Sequence, residues 1–363
     1  MPLAISVVII MKINVLEQKI IQSNRNSIHN YFGWPTAERL KNGNIAVSSS
    51  GFRLEHICPF GKAVMSISSD EGKTFSPPQV IIDTALDDRD AGLCAFGDSG
   101  LIVTSFNNTR EFQRQHYIGD GYVNAYLDKI TDEQEQKFLG STFRVSFDNG
   151  VSFGEVYKSP VTSPHGPIEL SDGTIFWVGM EFSGESPTTD LLCVTVNPQN
   201  GECKTVSGIT SISDTGEKLR LCEPYAFQLP DGTLICHIRE ETSDRFTTYQ
   251  SESHDFGKTW TAPHRLLKDK GGAPSHIIRH SSGVLISACG YREKPYGVRV
   301  MFSNDDGKTW DTDNVLWADG ADDDLGYPST VELNDGSLFT AFYAHLADDL
   351  PAEIIGIKWK MQQ

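Results

Sequence analysis

The sequence has no apolar run long enough to cross a membrane. Its most apolar stretch, Leu3–Met11, is about half of the ~20 residues a span requires. That stretch has no basic segment before it and no clear small-residue cleavage site after it. The expectation is a cytoplasmic chain whose fold starts near residue 12. Basic residues are outnumbered, 31 Lys and Arg against 48 Asp and Glu, for a formal net charge of −17. A field of that sign disfavours DNA, RNA and anionic membranes, though not a small anion held by a few local arginines. The seven cysteines are odd in number, scattered and without CxxC spacing. They read as buried thiols rather than a zinc site, and Cys193 with Cys203 could bridge only in an exported protein. No glycine-rich phosphate cradle implies an organic cofactor, no local ligand spacing implies a metal, and no low-complexity linker divides the chain.

What is present is a repeated sentence. Tyr327–Thr340 reads YPSTVELNDGSLFT, an alternating strand, a tight Asn-Asp-Gly turn and a second strand. The pattern recurs at WPTAERLKNGNIAV from Trp34, DAGLCAFGDSGLIV from Asp90 and HGPIELSDGTIFWV from His165. It recurs again at EPYAFQLPDGTLIC from Glu223 and PSHIIRHSSGVLIS from Pro274. The turn glycines are read as Gly43, Gly100, Gly173, Gly232, Gly283 and Gly336, at intervals of 57, 73, 59, 51 and 53 residues. A period near 50 in a β-rich chain predicts an all-β, six-bladed propeller of four-stranded antiparallel blades. It forms a single domain over 12–363, with blades near 24–82, 83–160, 161–215, 216–266, 267–318 and 319–363. The β-branched segment 12–22 is expected to close the last blade. The long second interval holds an insertion. Thr131-Asp132-Glu133-Gln134 reads as a capping box before a helix to Leu139. The polar, aromatic segment before it reads either as a loop over the binding face or as an edge elaboration.

A second repeat follows S-x-D-x-G-x-T-[WF]: Ser68–Phe75, Ser253–Trp260, Ser303–Trp310 and, with Ser152 for Thr, Ser146–Phe153. Its Asp is expected to accept turn amides, its Gly to adopt positive φ, and its aromatic residue to pack between sheets. One Asp per turn does not make a calcium loop. This motif is the Asp-box, or BNR repeat, and with it the chain resembles the sialidase superfamily of six-bladed propellers along nearly its whole length.

Each blade nominates one residue at the head of its inner strand: Trp34, Asp90, His165, Glu223, His276 and Tyr327, with Arg53, His56, Arg89 and Arg239 nearby. Two carboxylates, two histidines, a tyrosine and a tryptophan at equivalent positions are more than a structural repeat needs. The resemblance implies a Tyr nucleophile activated by a Glu, an Asp acid/base and three arginines on a substrate carboxylate. On it, Tyr327 looks like the nucleophile, Glu223 its partner, and Arg239 one clamp arginine. Asp90 matches an Asp opening the second blade. Gly33 stands in place of another clamp arginine, within Phe32-Gly33-Trp34-Pro35. The third clamp is Arg292 or Arg299. Glu55 and His56 occupy the neighbourhood of the acid/base.

The expected activity is a glycoside hydrolase acting on a terminal, acidic or neutral sugar, with a glycan as partner and the oligomeric state open. Tyr327 or a carboxylate attacks; Asp90, His165 or His56 supplies the proton; Arg53, Arg89, Arg239, Arg292, His276 and a stacking Trp34 hold the sugar. Two other classes suit the same residues: a carbohydrate-binding propeller without catalysis, and a polysaccharide lyase acting beside a uronate.

Overall fold

The structure, a computed structural model, describes residues 11–181, 190–242, 245–267 and 272–362. The apolar segment before residue 11 lies outside the described residues. Six four-stranded antiparallel sheets are arranged as propeller blades. The inner strands are Tyr31–Arg39, Leu93–Phe96, the pair Val161–Thr162 and Ile168–Glu169, Leu221–Gln228, Gly272–Arg279 and Gly326–Glu332. The strand Lys12–Gln22 lies antiparallel to Glu353–Gln362 on the outer edge of blade six, joining the two ends of the ring.

Both faces of each sheet are apolar because each packs against a neighbour. Val47 of blade one meets Phe339 of blade six, Met65 meets Leu101 of blade two, and Leu285 meets Ile235 of blade four. All seven cysteines are free and six are buried. No helix among the described residues is long and apolar enough to cross a membrane.

The hairpin turns share one design. In blades one, three, four, five and six the turn glycine has φ between 69° and 94° and donates to the carbonyl three residues back, as Gly43 does to Leu40 at 2.9 Å. Blade two differs from the reading above. Its left-handed glycine is Gly97 (φ 53°), and Gly100 is the first residue of the returning strand. Gly100 is needed for a different reason: a Cβ there would lie 2.4 Å from the Phe96 ring. Blade three also departs. Its inner strand is broken over 163–167, where Pro164 and Pro167 have no N–H for the ladder and Gly166 is left-handed.

The four Asp-boxes are one structure. In the first, Asp70 accepts from the Thr74 amide at 2.9 Å, the Thr74 hydroxyl at 2.6 Å and the Ser68 hydroxyl at 2.8 Å. Ser152 donates to Asp148 at the same 2.6 Å, so a hydroxyl is all that position requires. The aromatic residues reach the preceding blade: Phe75 lies 5.5 Å from Phe339 and Trp260 stacks 6.4 Å from Phe176.

The insertion in blade two forms three helices, α1 (Arg110–His116), α2 (Gly121–Leu127) and α3 (Asp132–Phe138). The Thr131–Gln134 capping box is present. The segment before it is helical rather than loop, started by Thr109 and Asp120 accepting first-turn amides. Tyr117, Val123, Leu127 and Ile130 form a small core with Leu86, packed against Leu54, Ile57 and Phe60. The insertion thus buttresses the segment that follows Arg53.

The Asp-box geometry predicts that Asp305→Ala lowers the melting temperature by about 2–4 °C with activity per folded molecule retained. Calorimetry with active-site titration checks both.

Candidate active site

Four blades open their inner strand in the same strained way. Trp34, Asp90, Glu223 and Tyr327 have φ of 54°, 50°, 49° and 52°. Left-handed geometry costs a residue bearing a Cβ about 1–2 kcal/mol. In blades one, four and six the next residue is a proline, which gives nothing to the ladder. The pairing register jumps from Gly33 to Thr36, from Cys222 to Tyr225 and from Gly326 to Ser329. Each pair forms a bulge that takes its first side chain off the strand's regular alternation.

Two of these side chains meet there. The Tyr327 hydroxyl donates to Glu223 Oε1. Blades four and six are not neighbours, so the contact spans the channel. Arg239 Nη1 donates to Glu223 Oε2 at 2.6 Å and lies 3.4 Å from the Tyr327 oxygen, while its Nη2 reaches Glu241 at 2.9 Å. Arg239 and Arg292 both lie over the Phe246 ring, at 4.0 and 5.4 Å, and Arg292 is 5.9 Å from the Tyr327 centroid. Arg299 instead stacks on Tyr291 at 4.3 Å, so Arg292 is the arginine at the mouth. Burial, then the Glu223 charge, holds the Tyr327 phenol well above its usual range. It is neutral at rest. Asp90 is buried and pushed up to about 7 by desolvation, with the Arg89 guanidinium opposing and Glu223 reinforcing.

His165 and His276 lie beneath the mouth rather than on it. His276 stacks on Tyr225 at 4.5 Å and meets the His165 ring edge-on at 5.2 Å, forming a waist in the channel. His165 Nδ1 faces the Thr36 hydroxyl at 3.1 Å, and its Nε2 is buried without a partner. Desolvation drops His276 to about 3 and holds His165 well below the ordinary histidine range. Beyond the waist, a cavity of about 840 Å³ opens at the other end of the channel, lined in part by Glu38, Lys41, Tyr225, Phe227 and Arg279. Its lining includes neither Tyr327 nor Glu223.

Arg53 and Trp34 are not ligand-facing. Arg53 is fully buried: it forms a bidentate ion pair with Asp87, donates to Ser50 Oγ at 2.8 Å and to the His56 carbonyl at 2.9 Å. Trp34 is 1% exposed. The guanidinium groups of Arg89 and Arg53 lie over its ring at 4.3 and 4.8 Å, so no face remains for a sugar. Arg89 Nε has no hydrogen-bond partner.

Residues missed in the sequence complete the rim. Asp324 accepts from Tyr31 at 2.8 Å, Tyr343 at 2.8 Å and His56 Nδ1 at 2.9 Å, with His345 at 3.7 Å. His56 is partly exposed. Arg292 Nη2 lies 3.5 Å from the Tyr343 hydroxyl, linking this cluster to the Tyr327 group. Among the described residues, no group of three or more His, Cys, Asp or Glu side chains is placed to hold a metal.

The model of the BNR repeat-like domain matches residues 134–340, more than half of the chain. The chain belongs to the BNR repeat-like family. No curated protein matches the sequence. Among solved structures, a protein of unknown function from Dyadobacter fermentans superposes with a TM-score of 0.78 at 21% identity, covering 96% of this chain and 99% of that one. A Trypanosoma rangeli sialidase mutant with trans-sialidase activity gives 0.63 at 15% identity, over 96% of this chain and 58% of that one. The Ruminococcus gnavus intramolecular trans-sialidase gives 0.63 at 11% identity, over 95% and 96%. These likenesses establish the fold of this BNR-family chain, a sialidase-like propeller, and the site stands on its own geometry.

The buried histidines give a pH prediction. The unfolded chain takes up protons as pH falls below about 6.5, whereas His276 in the folded protein resists until about 3. Stability from its neutral form is therefore whole above pH 6.5 and is lost between there and 3. His276→Gln removes up to about 1.4 kcal/mol per pH unit of that slope. The raised carboxyls Asp88, Asp90 and Glu38 have the opposite dependence but are common to both proteins. Denaturant midpoints at pH 7 and pH 4.5 should converge between wild type and variant; parallel curves would contradict the assignment.

Proposed function

We propose that the protein is a glycoside hydrolase in which Tyr327 attacks the anomeric carbon of a terminal sugar. The observation that carries this is the phenol of Tyr327 hydrogen-bonded across the channel to Glu223, itself paired with Arg239. A neutral phenol is a poor nucleophile at neutral pH. A carboxylate already holding its proton can take it as the new C–O bond forms. Arg239 stabilises the Glu223 carboxylate and stands close to the oxygen where charge develops. A phenol also approaches an electron-poor anomeric centre bearing a nearby carboxylate without the repulsion a carboxylate nucleophile would meet. The sialidase and trans-sialidase neighbours support a sugar as substrate. Arg292 and Arg89, at the same rim, favour a sugar bearing an acidic group.

Ordinary α-sialosides are nevertheless expected to be poor substrates. Gly33 offers no side chain where one clamp arginine is expected, and a Cβ there would lie 3.1 Å from the Tyr31 ring, which would have to shift. Loss of one bidentate contact to a carboxylate costs about tenfold to a hundredfold in binding.

Glu223→Gln and Tyr327→Phe should each lower kcat by about a hundredfold or more with the melting curve retained, and the double variant should be little worse than either. A panel of 4-nitrophenyl glycosides provides the assay. Undiminished binding with no wild-type turnover would favour a carbohydrate-binding propeller, and an ultraviolet-absorbing unsaturated product a lyase. Robust turnover of an aryl sialoside would refute the substrate expectation.

A further inference from the structure

Resting on the reading above, we propose that His56, oriented by Asp324, is the group that carries the proton between solvent, leaving oxygen and attacking water. A retaining reaction needs such a group on the side where the aglycone departs and water enters. The three side chains that the sequence nominates to supply the proton differ in that respect. His165 is 1% exposed and belongs to the waist beneath the mouth. Asp90 is 6% exposed. The His56 side chain is 43% exposed.

Its surroundings fix how it works. Nδ1 is 2.9 Å from Asp324 Oδ1. Asp324 is kept ionised well below the usual carboxylate range, its burial outweighed by hydrogen bonds from His345, His56 and Tyr343. An ionised carboxylate can only accept, so Nδ1 bears hydrogen and Nε2 is the nitrogen that gains and loses the proton. The His56 ring meets Trp34 edge-on at 4.9 Å, and Trp34 in turn meets Tyr327 at 6.5 Å. One indole therefore spaces the proton carrier from the nucleophile. Burial, reinforced by the Arg89 and Arg53 guanidinium groups, holds His56 below the ordinary histidine range against the Asp324 hydrogen bond, which favours the charged ring; the Tyr31 hydroxyl lies 3.3 Å from Nδ1, and Glu55 on the same segment is paired with His116. The segment is fixed by the Arg53 bond to the His56 carbonyl and by Tyr117 donating to the Ile57 carbonyl.

The steps balance. His56 Nε2–H protonates the leaving oxygen as its bond to the anomeric carbon breaks, Tyr327 Oη bonds to that carbon, and the phenolic proton passes to Glu223. Neutral His56 then takes a proton from water as the water oxygen bonds to the anomeric carbon. The Tyr327 bond breaks, and Glu223 returns the proton to the phenol.

The test compares two leaving groups on whichever panel sugar wild type accepts. With the methyl glycoside, His56→Gln and His56→Asn should lose about a hundredfold or more in kcat/KM. With the 2,4-dinitrophenyl glycoside, whose leaving group needs no proton, kcat/KM should stay within about tenfold of wild type. Azide should then accelerate the variants, with release of a glycosyl azide, but not wild type. Asp324→Asn, acting through orientation, should shift the limb of the kcat/KM profile that reports His56 to lower pH. Equal losses with both leaving groups, or a leaving-group-dependent loss in Asp90→Asn instead, would overturn the assignment while leaving the Tyr327 reading intact. No wild-type turnover of any panel member, with glycan bound, would overturn both.

Discussion

The site depends on one backbone device, a residue with a Cβ held left-handed at the head of an inner strand. Trp34, Glu223 and Tyr327 are such residues. The proline after each removes the donor that would continue the ladder, and the bulge takes one side chain off the strand's alternation, which brings Glu223 and Tyr327 together. The cost, of order 1–2 kcal/mol each, is borne by strands whose remaining residues are fixed by neighbouring blades. Glu223 and Tyr327 consequently arrive together with little freedom to separate.

The architecture was legible in the sequence because its information is local. A left-handed glycine between alternating strands, or an Asp four residues before a hydroxyl, describes its own turn. The same locality explains the errors. Gly100 sits in a turn-like string, yet the Phe96 ring is what demands a glycine there. Counting along blade three placed His165 at the rim, and the count failed where Pro164 and Pro167 break the strand. Trp34 reads as a platform until Arg53 and Arg89, from two other segments, cover it. Asp324 was hidden in the acidic run Asp322-Asp323-Asp324, which reads as solvated loop. It acquires a role only where blade six meets blade one, 268 residues from His56 in sequence. The X-Pro step in Trp34-Pro35, Glu223-Pro224 and Tyr327-Pro328 was the available signal for the bulges.

The mouth is supported by charge as much as by packing. Arg53 and Asp87 are both fully buried, and such a pair is tolerable only with its remaining donors and acceptors satisfied. Ser50, the His56 carbonyl and Gln113 of α1 supply those partners. The three-helix insertion thereby becomes a structural partner of the rim, stiffening the segment from Leu54 to Phe60 from outside while Arg53 holds it from below.

The strand that closes the ring has a consequence for biosynthesis. Lys12–Gln22 leaves the ribosome before all six blades' other strands, and its partner Glu353–Gln362 follows them. Blades one to five can each assemble as they emerge, but the sixth waits until Glu353–Gln362 has emerged, with an unpaired, β-prone segment in reserve until then. Tyr327 lies in that sixth blade. The Tyr327 phenol therefore reaches Glu223 only as the circle is fastened, and a nascent chain, however much of its sheet structure has formed, lacks the assembled pair.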